Sequence, residues 1–173
     1  MSISNEVLRK AVYMLALAFE YELAGSKARL DWDPDLLRAV STEESRLRSV
    51  VAFLKRRGGG LYLNFIQGRD VSDDGKYDAI EMDLRTGQML IDMQAYYTSI
   101  DESWQQPHRP VSEKDAKDFI EVVFAGPSAG EVGHVEPSQA SIALAKKTLS
   151  AALRRGPKEF GDQVPVLRVR SRR

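Results

Sequence analysis

Hydrophobic residues recur with helical spacing at both ends of the chain. Between Asn5 and Ala24 they cover more than one stripe of a predicted helix, which Ser4 or Asn5 caps and Gly25 ends. A helix that is apolar on several sides needs several packing partners. The sequence therefore predicts a homodimer, with four residues of this helix at the interface: Val7, Val12, Met14 and Leu17.

A second long helix is predicted over residues 41–57. Ser41 and Glu44 have the spacing of a capping box, and Gly58 follows the last turn. One face of this helix would be apolar, with Leu47, Val50, Val51 and Leu54. Its last turn would carry cations that interact favourably with the helix dipole: Lys55, Arg56 and Arg57. Asp33 and Pro34 open a shorter helix before it.

The middle of the chain alternates apolar and polar residues, which is typical of strands with one solvated face. Three strands are predicted, over residues 61–67, 77–84 and 88–97, and residues 85–87 form the last hairpin loop. The polar residues of the first two strands are expected on the wet face: Tyr62, Asn64, Glu81 and Asp83.

The C-terminal part predicts a helix capped by Ser112, a glycine- and proline-containing linker, and an amphipathic helix that ends at Gly156. The predicted fold class is α+β: N-terminal helices packed on a three-stranded antiparallel β-meander, then a helix, the linker and a basic C-terminal helix plus arm. The predicted domain organisation is an α/β body (1–125), a linker (126–136) and a basic helix with a C-terminal arm (137–173).

Charge is unevenly distributed along a chain whose formal net charge is zero. Residues 1–142 hold 16 Lys and Arg against 23 Asp and Glu, whereas residues 143–173 hold nine against two. A basic segment that follows an acidic body is typical of a chain that meets a polyanion or an acidic surface. We expect eight residues to bind RNA or DNA: Lys146, Lys147, Arg154, Arg155, Arg168, Arg170, Arg172 and Arg173.

The arginine-rich end leaves other uses open. It is compatible with an acidic protein partner, with docking on the acidic body of the same chain, with a solvated terminus, or with addition of a strand to a sheet edge. The last 13 residues contain no aromatic side chain, so nucleic-acid binding through them is expected to be weakly selective for sequence.

Catalytic patterns are sparse. The chain has no cysteine, its two histidines are in predicted loops, and no cofactor-binding motif is present, so no catalytic residue and no cofactor are predicted. Residues 70–81 resemble a calcium loop in spacing, but strand-like sequence flanks them and would carry Glu81 away from Asp70, so no metal site is predicted.

These patterns favour a non-enzymatic assembly or packaging accessory, dimeric, that binds nucleic acid through a basic arm, such as a phage or viral particle component. One alternative is a partner-binding chaperone or immunity-type module, and another is a metal-dependent hydrolase that uses Glu81 and Asp83. The longest apolar run, residues 12–19, is shorter than the roughly 20 residues that span a bilayer. We expect a soluble cytoplasmic protein, or one inside a virion if its origin is viral.

Overall fold

A computed structural model describes residues 2–36, 38, 50–66, 79–92, 109–126, 129–159 and 161–168. Within these ranges six antiparallel strands form one sheet in the order β5-β4-β3-β2-β1-β6. The strands are β1 (Val50–Arg57), β2 (Gly60–Ile66), β3 (Ala79–Asp83), β4 (Met89–Asp92), β5 (Arg109–Val111) and β6 (Val164–Arg168). The helices are α1 (Asn5–Leu30), α2 (Glu113–Ala125), α3 (Ala129–Val132) and α4 (Gln139–Arg155).

The mixed α+β class is confirmed, but the predicted three-stranded meander is wrong as a description of the sheet. Its three strands are neighbours, β2, β3 and β4, within the larger sheet. The helices pack on one face, where a single core cluster joins them to the strands. Of the short helix that the sequence predicts after Asp33, residues 34–36 are helical. No helix among the described residues is long and apolar enough to cross a membrane.

Helix α1 begins as predicted and ends later than predicted. The Ser4 hydroxyl accepts a hydrogen bond from the Val7 N–H at 3.2 Å, which caps the helix. The helix continues through Gly25 to Leu30. A Cβ atom at Gly25 would lie only 3.1–3.2 Å from backbone atoms of Phe124 and Ala125. Gly25 therefore allows α1 and α2 to approach closely, and it does not end the helix.

The apolar surface of α1 is used within one chain. Val7, Val12, Met14 and Leu17 are each at most 8% exposed and belong to the core cluster. Helix α1 packs against both α2 and α4 and also contacts the sheet, so its several apolar sides have intramolecular partners. The premise that one chain cannot bury these four residues is therefore wrong, and both their place at a dimer interface and the dimer itself stay predictions.

Residues 50–57 form strand β1, so the helix predicted over residues 41–57 is wrong in this part; residues 41–49 lie outside the described residues. Apolar side chains on both faces of β1 imitate a helical pattern: Leu54 faces the helices, and Phe53 packs on the opposite side. A register irregularity at residues 50–53 also obscures the strand pattern, because a bulge interrupts the alternation of side chains between the two faces. Gly58 and Gly59, at φ +52° and +80°, make the two-residue turn into β2.

The sheet face away from the helices is not the solvated face that alternation predicted. Asn64 and Glu81 are completely buried, and Tyr62 and Asp83 are almost so. Register explains their proximity, since Tyr62 pairs with Asp83 and Asn64 pairs with Glu81 across β2 and β3. Directly paired residues point to the same face of a sheet. The alternation thus marked a polar face correctly, but its burial was not predicted.

The C-terminal segment joins the main core. Ala145 and Leu149 of α4, with Val164 and Leu167 of β6, belong to the same cluster as the body. Strand β6 pairs antiparallel with β1, and the Arg56 Nε atom donates to the Pro157 carbonyl oxygen at 2.6 Å. Residues 164–168 are therefore an edge strand rather than part of an arm. Helix α3 lies within the predicted linker and contacts α1.

Candidate nucleic-acid interface

Helix α4 presents a basic face on a firmly positioned element. The Ser138 hydroxyl accepts from the Ser141 N–H at 3.1 Å, and the Gly156 N–H donates to the Ala152 carbonyl at 2.7 Å, so both ends are capped. The side that faces the core is formed by small and apolar residues: Ser141, Ala145, Leu149 and Ala152. The opposite side remains exposed to solvent.

Four of the predicted nucleic-acid-binding residues are exposed on this half of the helix. Lys147 and Arg154 lie within about 20° of each other around the axis, and Lys146 and Arg155 lie at the two flanks. Lys146 and Lys147 precede Arg154 and Arg155, respectively, by eight residues, which is about 2.2 turns or about 12 Å along the axis. None of the 17 residues of α4 is acidic. Within the described part of the chain, none of the four cations has an ion-pair partner. They form an exposed basic surface, called here the α4 basic face.

Glu20 of α1 fixes the N-terminus of α4. Its Oε1 atom accepts from the Ser138 N–H at 3.0 Å and from the Ser138 hydroxyl at 2.6 Å, and it also accepts from the Ser141 hydroxyl. Burial alone would raise the pKa of Glu20, but these hydrogen bonds lower it below its ordinary value. A carboxylate at a helix N-terminus complements the helix dipole. The contact therefore helps to orient the α4 basic face relative to α1.

The remaining predicted residues are not brought to this surface by the described structure. Arg168 is exposed at the end of β6 and pairs with Val50, whose side chain packs with Phe53 on the sheet face opposite the helices. Paired residues share a face, so Arg168 points away from the helical layer that carries the α4 basic face. Arg170, Arg172 and Arg173 lie outside the described residues.

A second group of charges occupies the buried face of the sheet. Lys55 Nζ lies 2.9 Å from Glu81 Oε1, and Arg57 Nη2 lies 3.1 Å from Glu81 Oε2. The two cations are on β1 and the carboxylate is on β3, so both side chains extend over the intervening strand β2. The Arg57 guanidinium also lies 4.1 Å from the centre of the Tyr62 ring. The long stems of these side chains contribute to covering the polar face.

Asp83 is held by Arg85 beside this group. Arg85 donates to both carboxylate oxygens from its side chain, at 3.1 Å each, and from its backbone N–H at 2.9 Å. Its guanidinium also donates to the Tyr62 hydroxyl at 3.2 Å. Burial would raise the pKa of Asp83, but the hydrogen bonds and charge of Arg85 outweigh it and lower the pKa. Both carboxylates of the hydrolase alternative are therefore engaged in ion pairs.

Asn64 is a buried polar residue of this face that takes part in no ion pair. It is fully buried and lies opposite Glu81, yet neither atom of its carboxamide has a hydrogen-bond partner among the described residues. An unsatisfied buried polar group costs about 1–3 kcal/mol. The structure thus retains an energetically costly side chain next to its most buried ion pair.

Sequence reasoning missed the partners of Glu81 because Lys55 and Arg57 were assigned to the last turn of a helix. The signal that could have identified them is the β-branched and aromatic run at residues 50–54, followed by a glycine turn and another strand. In a hairpin, residues of β1 at this spacing lie on the same side as the polar residues of β2.

The described residues include only the last part of the calcium-like loop, residues 79–81. Among the described residues, no group of three or more histidines and carboxylates is arranged to hold a metal ion. Residues 70–78 of the calcium-like loop lie outside the described residues, and its last position, Glu81, pairs with Lys55 and Arg57.

Comparison with known proteins adds no relative to this picture: no protein-family model, no curated protein and no solved structure matches the chain.

Proposed function

We propose that this protein is a non-enzymatic accessory of nucleic-acid assembly or packaging, which binds RNA or DNA electrostatically through the α4 basic face. The observation that carries the proposal is a set of four exposed cations that have no ion-pair partner among the described residues, on a helix that has no acidic residue. Lysine and arginine side chains in this state are available to phosphates, and displacement of counterions supplies the affinity.

The proposal differs from the sequence-based expectation in the element that makes the contact. A helix capped at both ends, tied to Glu20 and packed on the core holds its cations in fixed positions. Such a surface loses less conformational freedom on binding than a free arm would. Contacts to phosphates position a protein on nucleic acid without reading its sequence, so the binding is expected to be weakly selective.

The direct test is fluorescence anisotropy with a labelled oligonucleotide across a salt series. The paired variants Lys146→Gln/Lys147→Gln and Arg154→Gln/Arg155→Gln should each weaken binding. Each should also reduce the slope of log affinity against log salt by about 0.7–0.9 for every phosphate that the variant no longer neutralises. The matched control is Lys27→Gln/Lys114→Gln, which removes the same charge from exposed positions on α1 and α2.

Binding that is insensitive to salt, or α4 variants that behave like the control pair, would contradict the proposal. Deletion of residues 169–173 measures separately what the last arginines add. The homodimer is part of the proposed assembly role, and light scattering at micromolar concentration tests it independently of nucleic acid.

A further inference from the structure

A groove of about 850 Å³ runs beside the α4 basic face, between α4 and the N-terminal half of α1. Its volume is within the range of sites that hold small organic ligands, about 300–1,000 Å³. Lys146 lines this groove and also belongs to the α4 basic face. A polymer that contacts the cations of α4 therefore passes the edge of the groove.

The floor of the groove is apolar. Leu8 and Ile142 are only partly buried there, and Val12 and Leu149 lie deeper in the core. Tyr13 adds an aromatic wall. Its ring is 4.9 Å from Lys117 Nζ, and its hydroxyl donates to Glu136 at 3.3 Å, so the ring is held in place. A concave apolar surface with one fixed aromatic ring suits a flat heterocycle.

The edges of the groove carry both signs of charge: among the described residues, Arg9 and Glu6 on α1 and Lys146 on α4 lack an ion-pair partner. Lys10 is 3.8 Å from Glu113, which also pairs with Lys117, and Glu6 lies in the first turn of α1. The two unpaired cations, one on each wall, suit a ligand whose ring enters the groove while its anionic group stays at the edge.

We propose that the groove receives one unstacked base of a single-stranded nucleic acid whose phosphates contact the α4 basic face. This inference rests on the proposed function and specifies its ligand. In a duplex, each base is stacked and paired, and turning one outward costs a few kcal/mol. A single strand presents its bases at little cost, and contact of a base with an aromatic or apolar surface is tolerant of sequence.

The experiment compares a labelled single-stranded 15-mer with the duplex of the same sequence, by anisotropy at low salt, on the full chain. The wild-type protein should bind the single strand about tenfold more tightly, since one base contact of this kind is worth that much. Ile142→Ser and Leu8→Ser should each remove most of this preference while duplex binding changes less than twofold. Tyr13→Leu should do the same, and Tyr13→Phe, which keeps the ring, should not.

The control variant is Ala151→Ser, at an exposed position of α4 that does not line the groove. Circular dichroism melting identifies any groove variant that fails to fold. If Ile142→Ser or Leu8→Ser does not fold, the other serine variant provides the test. The base site is overturned if the wild type binds single strand and duplex with equal affinity and the groove variants bind both as the wild type does. That result would fit a groove that binds a protein partner. If the Lys146→Gln/Lys147→Gln variant still binds both the single strand and the duplex more weakly than the wild type, the proposed function stands without the base site. No binding of either ligand by the wild type overturns the proposed function itself.

Discussion

Lys55 on β1 and Glu81 on β3 form a 2.9 Å ion pair across the strand that separates them. The Glu81 side chain is fully buried, and Arg57 binds its second oxygen at 3.1 Å. A buried carboxylate is tolerated only where opposite charges and hydrogen bonds replace its hydration. The pair therefore links β1 to β3 through side chains, across the strand β2 that separates their backbones, and its contribution to stability can be measured.

Replacement of Glu81 by Gln should destabilise the protein by up to about 3–5 kcal/mol, because it leaves the partly buried cations Lys55 and Arg57 without their common carboxylate. Urea unfolding followed by tryptophan fluorescence measures the change in free energy. The control replaces all three residues by Met, which removes the charges together and should cost much less. A Glu81→Gln variant as stable as the wild type would show that the carboxylate is not buried in solution.

Replacement of Asn64 by Leu should raise the free energy of unfolding by about 1–3 kcal/mol, because it removes an unsatisfied carboxamide from a fully buried position. Leu has the same branching as Asn and adds apolar contacts, although its methyl groups are larger than the atoms they replace. Asn64→Asp is the contrasting variant, since it introduces a charge opposite Glu81 and should destabilise strongly. A large loss of stability in Asn64→Leu would reveal a polar partner for the carboxamide that the described residues do not include.

Replacement of Asp83 by Asn should destabilise the protein by about 1 kcal/mol at pH 7, since Asp83 accepts charge-assisted hydrogen bonds from Arg85, which is itself partly exposed and screened by solvent. The folded-state pKa of Asp83 is lowered, so the stabilisation is fully present above the ordinary pKa of about 4 and is lost as pH falls through the folded value. The wild-type advantage over Asp83→Asn should therefore shrink between pH 5 and pH 2. Asp31→Asn, at an exposed position, shows the effect of removing a surface carboxylate.

Removal of β6 should destabilise the whole chain, in contrast to the expectation from sequence that the C-terminal segment is a detachable arm. Val164, Val166 and Leu167 are buried in the main core, and Leu167→Ala alone should cost about 2–4 kcal/mol. Thermal melting of chains that end at residue 163 and at residue 168 separates the strand from the residues beyond it. Equal melting temperatures for these two chains would mean that β6 contributes nothing to stability.

Local signals in the sequence determined much of this protein. Ser4, Ser112 and Ser138 each accept a hydrogen bond from a backbone N–H of the first turn of the helix that follows, and Gly156 ends α4, because caps satisfy backbone groups within a few residues. The turn at Gly87, φ +77°, was also predictable, because a left-handed conformation strongly favours glycine. The basic face of α4 follows directly from helical spacing.

The tertiary structure decided what local signals leave ambiguous. Residues 50–54 form a strand because β1 lies between its hairpin partner β2 and β6, and β6 is more than 100 residues away along the chain, where no local pattern specifies the pairing. Gly25 lies inside α1, where the backbone of α2 approaches so closely that a Cβ atom would crowd it. Judged from local sequence alone, a glycine at this position is a common helix end. Glu81 is buried on a face where Lys55 and Arg57 of β1 reach it over β2. Alternation along one strand records which residues share a face, but burial of that face depends on side chains that other strands supply.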